Sequence, residues 1–130
     1  MIVDSSALAA VLFGESDSAR YLEALASPCR KFMSSVSRLE ISIAVEARKG
    51  LAGTAALSEL FAVAEIEELP FDSSLAEVAF DAWRRWGKGH SSAALNMGDC
   101  VSYALSKVLH QPLLYKGNDF SQTDVSSFLQ

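Results

Sequence analysis

The chain has 130 residues, half of them hydrophobic and 21% charged, enough to close one apolar core without staples and too apolar for disorder. Its net charge of −5 has the wrong sign for a passive nucleic-acid binder, which carries a basic face. The two distant cysteines, Cys29 and Cys100, form neither a C-x-x-C metal knuckle nor a disulfide framework, and read as small buried hydrophobes.

Residues 1–4 read as a short apolar strand ending in an acid. The apolar run over residues 7–13 lacks the positive flank of a signal peptide and the length of a membrane span, so the chain reads as a soluble cytoplasmic protein with no membrane association. Ser5 or Ser6 caps a helix over residues 7–13, which Gly14 breaks. A second helix starts at Ser16, with Ala19, Leu22, Leu25 and Ala26 at helical spacing, and stops at Pro28. Residues 31–35 form the second strand. Ser37 and Glu40 then have capping-box spacing, and Val36 with Ile41 fits the hydrophobic staple. Those signals outweigh the strand-like alternation of Leu39, Ile41, Ile43 and Val45, and predict a helix to Lys49 closed by Gly50. Thr54 caps the next helix, with Leu57, Leu60, Phe61 and Ala64 on one side.

Residues 66–69 make an edge-like strand before Pro70. Asp72 caps a helix that Gly87 ends, and residues 88–98 form a small-residue polar loop. A helix over residues 99–110 turns Cys100, Val101, Ala104, Leu105 and Val108 inward. Residues 112–115 are a buried strand, Gly117, Asn118 and Asp119 a turn, and residues 124–129 a final strand. Strands separated by helices imply an α/β fold, one domain over residues 1–130 with a central parallel sheet flanked by helices on both faces. Sites in such sheets form beyond the carboxyl ends of the strands.

Four acids fall at that edge. Asp4 ends the first strand, Glu40 lies in the first turn after the second, Asp119 follows the strand over residues 112–115, and Asp99 opens the helix that feeds that strand. Singly, three of them have ordinary explanations. Glu40 is a capping-box partner, Asp99 a helix N-terminal acid and Asp119 a turn acid. Asp4 resists one, since an acid ending a central strand points into the crevice. Four carboxylates in one pocket raise one another's pKa, and hard oxygen-ligated cations such as Mg²⁺ or Mn²⁺ relieve this. Such a cation supports phosphodiester hydrolysis. Setting the four acids aside leaves a net charge of about −1, so a nucleic-acid substrate must be gripped locally and through bound cations.

These residues resemble the PIN-domain family. Met1-Ile-Val-Asp-Ser-Ser-Ala-Leu8 is similar to its opening, the stretch from Ser35 through Leu39-Glu40-Ile41 to its second acidic motif, Leu95-Asn-Met-Gly-Asp-Cys100 to its third and Leu113-Leu-Tyr-Lys-Gly-Asn-Asp-Phe120 to its fourth. The order, spacing and length look like the VapC toxins of bacterial toxin–antitoxin pairs. The resemblance implies a metal-dependent endoribonuclease with Asp4, Glu40, Asp99 and Asp119 as catalytic metal ligands for Mg²⁺ or Mn²⁺. It implies Ser6 as a supporting hydroxyl donor, Asn96 as an organiser of the loop before Asp99, and a VapB-type antitoxin as partner.

Lys116, beside the site, and Lys88 and His90, in the loop, are candidate RNA contacts. Trp83 and Trp86 read as core or interface. The apolar helices around residues 19–26 and 39–45 are candidates for a homodimer seam and an antitoxin groove. The rival reading is a non-catalytic α/β interaction domain whose acidic pocket binds a basic partner. Receiver, phosphatase, P-loop, dinucleotide-binding and serine-hydrolase readings fail for lack of their motifs.

Overall fold

The computed structural model describes residues 1–129. In chain order the elements are β1 (Ile2–Val3), α1 (Ser5–Leu12), α2 (Ser18–Leu25), β2 (Lys31–Ser34), α3 (Ser35–Val63), β3 (Ile66–Leu69), α4 (Ser73–Trp86), α5 (Met97–Leu109) and β4 (Leu113–Leu114), followed by a 3₁₀ turn at Phe120–Gln122. All four strands run parallel in the order β3-β2-β1-β4. The chain winds outward from β1 through β2 to β3, then crosses back to set β4 on the other side of β1. The winding reverses between β1 and β4, and Asp4 stands at the carboxyl end of β1 beside that crevice.

Such short strands are held by what covers them. Met1 and Val3 join the core built with α1, α2 and α3, while Ile2 between them joins the core built with α4 and α5. Leu113 and Leu114 divide between the same two cores. This is the period of two that a pleat imposes, and it places helices on both faces of the sheet. Fully buried side chains such as Leu8, Leu25, Met33, Ile41 and Leu57 each contribute about 2 kcal/mol of apolar burial.

Several element starts differ from the expectations, and each difference has a local cause. Asp4, rather than Ser5 or Ser6, caps α1, its side chain accepting the Ser6 N–H. α2 starts at Ser18 and buries Tyr21, Ala24 and Leu25, leaving Ala19 exposed and Leu22 50% exposed. The large Tyr21 ring sets the inward stripe instead of the aliphatic residues. α3 follows β2 without a break because Ser34 caps it, accepting the Val36 N–H. The capping box at Ser37 and Glu40 therefore does not form; Ser37 is buried inside the helix, and the Glu40 carboxylate is left for other work.

Gly50, at φ 65° and ψ −158°, breaks α3 into two arms. The second arm begins directly after it rather than at Thr54. α5 begins at Met97 under an Asn96 cap, so Asp99 is its third residue. The expected final strand reduces to one parallel bridge, Leu113 with Ser127. Cys100 is buried, Cys29 is half-buried, and neither is bridged. Among the described residues, no helix is long and apolar enough to cross a membrane.

Candidate functional site

Asp4 is 3% exposed, and its carboxylate is enclosed by hydroxyls. Ser6 donates to Oδ2 through its Oγ at 2.6 Å and its backbone N–H at 3.0 Å. Ser102 Oγ donates to Oδ1 at 2.6 Å. Ser6 Oγ in turn accepts the backbone N–H of Lys116 at 3.0 Å. One hydroxyl thus ties the acid of β1 to the segment that leads from β4 to Asp119.

Asp99 sits in a closed capping box. Its backbone N–H donates to Asn96 Oδ1 at 2.9 Å, and its Oδ2 accepts the Asn96 N–H at 3.0 Å. Burial pushes the carboxyl up to about 6, and the charges of Asp4, Asp119 and Glu40 add to the rise against the Asn96 N–H. The four acids therefore share one electrostatic neighbourhood. Glu40 is exposed, and Ser5 Oγ donates to its Oε1. Its carboxylate lies against Gly98, where an added Cβ would come within 2.3 Å of Oε2, so it faces the electropositive first turn of α5. Asp119 is exposed and leads the 3₁₀ turn without using its side chain as a cap.

The donor set suits a hard divalent cation: every group is a carboxylate, and burial together with the charges of the other three acids raises the Asp99 carboxyl to about 6. The fit is one of chemistry and charge. Among the described residues, no three His, Cys, Asp or Glu side chains converge as a preformed ion cage.

The residues expected to touch RNA sit differently. The Lys116 ammonium is bonded to Glu15 and to Asp17 Oδ1, the latter at 2.7 Å. These acids hold the lysine above its ordinary range, and it holds Asp17 below the usual carboxylate range. Lys116 is thus a clamp between the loop after β4 and the α1–α2 loop, not a free phosphate hook. Replacing it with Met should lower the melting temperature at low salt, and the deficit should shrink near ~1 M salt as screening removes the ion pairs from the wild type too. A deficit indifferent to salt would mean that packing, not charge, carries the clamp. Lys88 is exposed. His90 is spent on Trp83, edge to face at 4.4 Å between ring centres. Trp86 donates its indole N–H to Tyr103, and Trp83 is 40% exposed.

The parts that Ser5, Ser37, Ser102 and Gly98 play at the site were missed in the sequence. Ser102 carried a usable signal, since a residue three after Asp99 shares its helix face. Gly98 carried one as well: a glycine inside the first turn of a helix asks what approaches it. Gly98→Ala should fold normally, because the clashing atom is the end of a flexible side chain. It should push the Glu40 carboxylate off its seat and cut any activity of the site by about 10²-fold, the typical cost of a 1 Å misplacement. Wild-type turnover in Gly98→Ala would show that the Glu40 position is unimportant.

The chain matches the PIN domain model over residues 1–126. It is 42% identical over 127 residues to a protein named Ribonuclease VapC from Mycolicibacterium smegmatis, covering 98% of each chain. Two solved structures share the fold. Mycobacterium tuberculosis VapC20, described as a sarcin-ricin loop cleaving toxin, superposes with a TM-score of 0.80 at 18% identity over 95% of each chain. A toxin–antitoxin complex from Klebsiella pneumoniae superposes with a TM-score of 0.69 at 14% identity, over 95% of this chain and 92% of that one. With the parallel sheet, the acid at its switch point and these likenesses together, the chain belongs to the PIN-domain family and, within it, to the VapC ribonucleases.

Proposed function

We propose that this ribonuclease is the toxin of a cytoplasmic toxin–antitoxin pair, an endonuclease that hydrolyses RNA with Mg²⁺ or Mn²⁺ held by Asp4, Glu40, Asp99 and Asp119. The observation that carries the reading is Asp99, whose carboxyl is raised to about 6 by burial and by the other three acids. A half-buried carboxyl that feels three other carboxylates, at the switch point of the sheet, suits a cation and the phosphate that a cation attracts.

A bound divalent ion would polarise a phosphoryl oxygen and lower the pKa of water. The protein's own part is orientation. Ser6 and Ser102 fix the Asp4 carboxylate from two sides. Asn96 holds Asp99 through its Oδ2. Ser5 and the first turn of α5 hold Glu40. Glu40 and Asp119 are exposed, as groups that meet an incoming RNA backbone through a cation must be.

Two apolar surfaces suit protein partners. A groove of about 480 Å³ is lined by Val36, Phe80, Trp83, Met97, Cys100 and Val101 among others. The exposed Leu39 and Ile43 continue its α3 wall at helical spacing, and we assign this face to a second copy of the chain. A hollow of about 400 Å³ bordered by Leu12, Val45 and Ala56 suits an apolar helix of a VapB-type antitoxin. Ile43→Asp should shift the mass in light scattering from dimer to monomer; a wild-type monomer would remove the seam.

The test of function is cleavage of end-labelled tRNA and ribosomal RNA fragments with Mg²⁺ or Mn²⁺, against EDTA. Cleavage lost in EDTA and on adding the antitoxin supports the reading. Cleavage that persists in EDTA would overturn the metal-dependent site, and a folded protein inert toward every RNA would favour the binding-only domain.

A further inference from the structure

Behind Asp4 lies a polar chain that the four acids do not explain. Ser37 and Ser102 are each 1% exposed, on helices whose buried positions are mostly apolar, such as Ile41 and Val45 on α3 and Val101, Ala104 and Leu105 on α5, with Ser106 of α5 a further buried serine, bonded to the Gln111 carbonyl. Alanine would pack in either place without the cost of burying a hydroxyl. The hydroxyls are bonded, and the chemistry fixes the direction. A carboxylate only accepts, so Ser102 must spend its proton on Asp4 Oδ1 at 2.6 Å. Ser37, 3.3 Å from Ser102 Oγ, is then the donor to Ser102.

With Ser6 on Oδ2, the two oxygens of Asp4 are held from α1 and from α5, which removes the rotation of the carboxylate plane about its last bond. Ser102 lies one helical turn after Asp99. The helix that carries one acid therefore sets the orientation of another across the crevice.

We infer that Ser102 is a positioning residue that presets the Asp4 carboxylate for a divalent cation, with Ser37 supporting it. This rests on the reading of Asp4 as a ligand. Without Ser102, Asp4 pivots about its contacts with Ser6, and the ion meets a carboxylate that must first be oriented. Loss of such a supporting hydrogen bond weakens metal binding by about 10- to 100-fold.

The test uses Mn²⁺ as the probe, titrated into metal-free protein without RNA and read by the electron paramagnetic resonance signal of the free ion, with a melting curve for each variant. Ser102→Ala should bind Mn²⁺ about 10-fold more weakly, and Ser102→Thr, which keeps the hydroxyl, should recover most of the affinity. Ser102→Cys keeps the site filled with a slightly larger group but weakens the donor, and should lose affinity even where the alanine variant melts too low to titrate. Asp4→Asn separates the two ideas. If it loses Mn²⁺ while Ser102→Ala and Ser102→Cys bind like the wild type, the positioning role is overturned and the ligand reading stands. If Asp4→Asn itself binds like the wild type, the ligand reading fails and the inference falls with it.

Discussion

Asp4→Asn should reduce RNA cleavage by about 10³-fold or more, the loss of several kcal/mol of transition-state stabilisation, and leave the protein folded. The side chain caps α1 and accepts from Ser6, and an asparagine keeps both functions because it retains one carbonyl oxygen and is as good a cap as aspartate. Its amide nitrogen can donate to Ser102, so the buried side chain keeps a partner at that oxygen's place. What disappears is a negative charge at the centre of the crevice. Circular dichroism and a melting curve should match the wild type while cleavage and Mn²⁺ binding vanish. A cleaving Asp4→Asn protein would remove Asp4 from the machinery.

Asp99→Asn should do the opposite to stability. A carboxyl whose pKa rises from 3.8 to about 6 on folding binds its proton more tightly folded than unfolded. Between those two values the folded chain carries more proton than the unfolded one, so stability falls as pH rises through that window and then levels off. The full shift corresponds to roughly 3 kcal/mol, and about 2 kcal/mol after allowance for the hydrated part of the side chain. Without metal, Asp99→Asn should therefore be more stable than the wild type above pH 6 and equal to it below pH 4. The Asn96 cap survives, because asparagine also accepts the Asn96 N–H. Adding Mg²⁺ should raise the melting temperature of the wild type and leave the variant unmoved, since a ligand stabilises only the state that binds it. Urea unfolding across pH 4–8 decides this; a variant less stable than the wild type at pH 7.5 without metal would mean that the acid is needed for the fold.

The sequence disclosed most where a signal was local. The cap at Asp72, the stop at Gly87, the strand at 66–69 and the break at Gly50 depend on neighbours a few residues away, and all appear in the structure. Asp4, Glu40 and Asp119 were expected at one edge because a parallel sheet sends every strand's end there, whereas Asp99 opens a helix after a long loop and strand direction alone does not place it. Other features depended on partners far along the chain. The Ser37 capping box lost to a cap at Ser34, a position that the strand expected over residues 31–35 had hidden. The direction of α2 was set by Tyr21 finding a core that no local pattern describes. Lys116 looked like a free cation until Glu15 and Asp17, about a hundred residues earlier, were brought to it. The hydroxyls around Asp4 were hidden for the same reason, since serine has no signature until its acceptor is in place.

The position of β4 at the outer side of β1 also has a consequence in time. β1 can pair with β2 once the first third of the chain exists, but Asp4 receives its Ser102 bond only after α5 is made. The loop bearing Asp119 is hooked to Ser6 only after Lys116 has emerged. Contacts of such long sequence separation close late in folding. During synthesis Asp4, Glu40 and Asp99 are made before the segment bearing Asp119 is anchored, so the set of four acids is completed only when the last strand docks. A truncation just before β4 should yield a chain with Asp4, Glu40 and Asp99 intact and no ribonuclease activity.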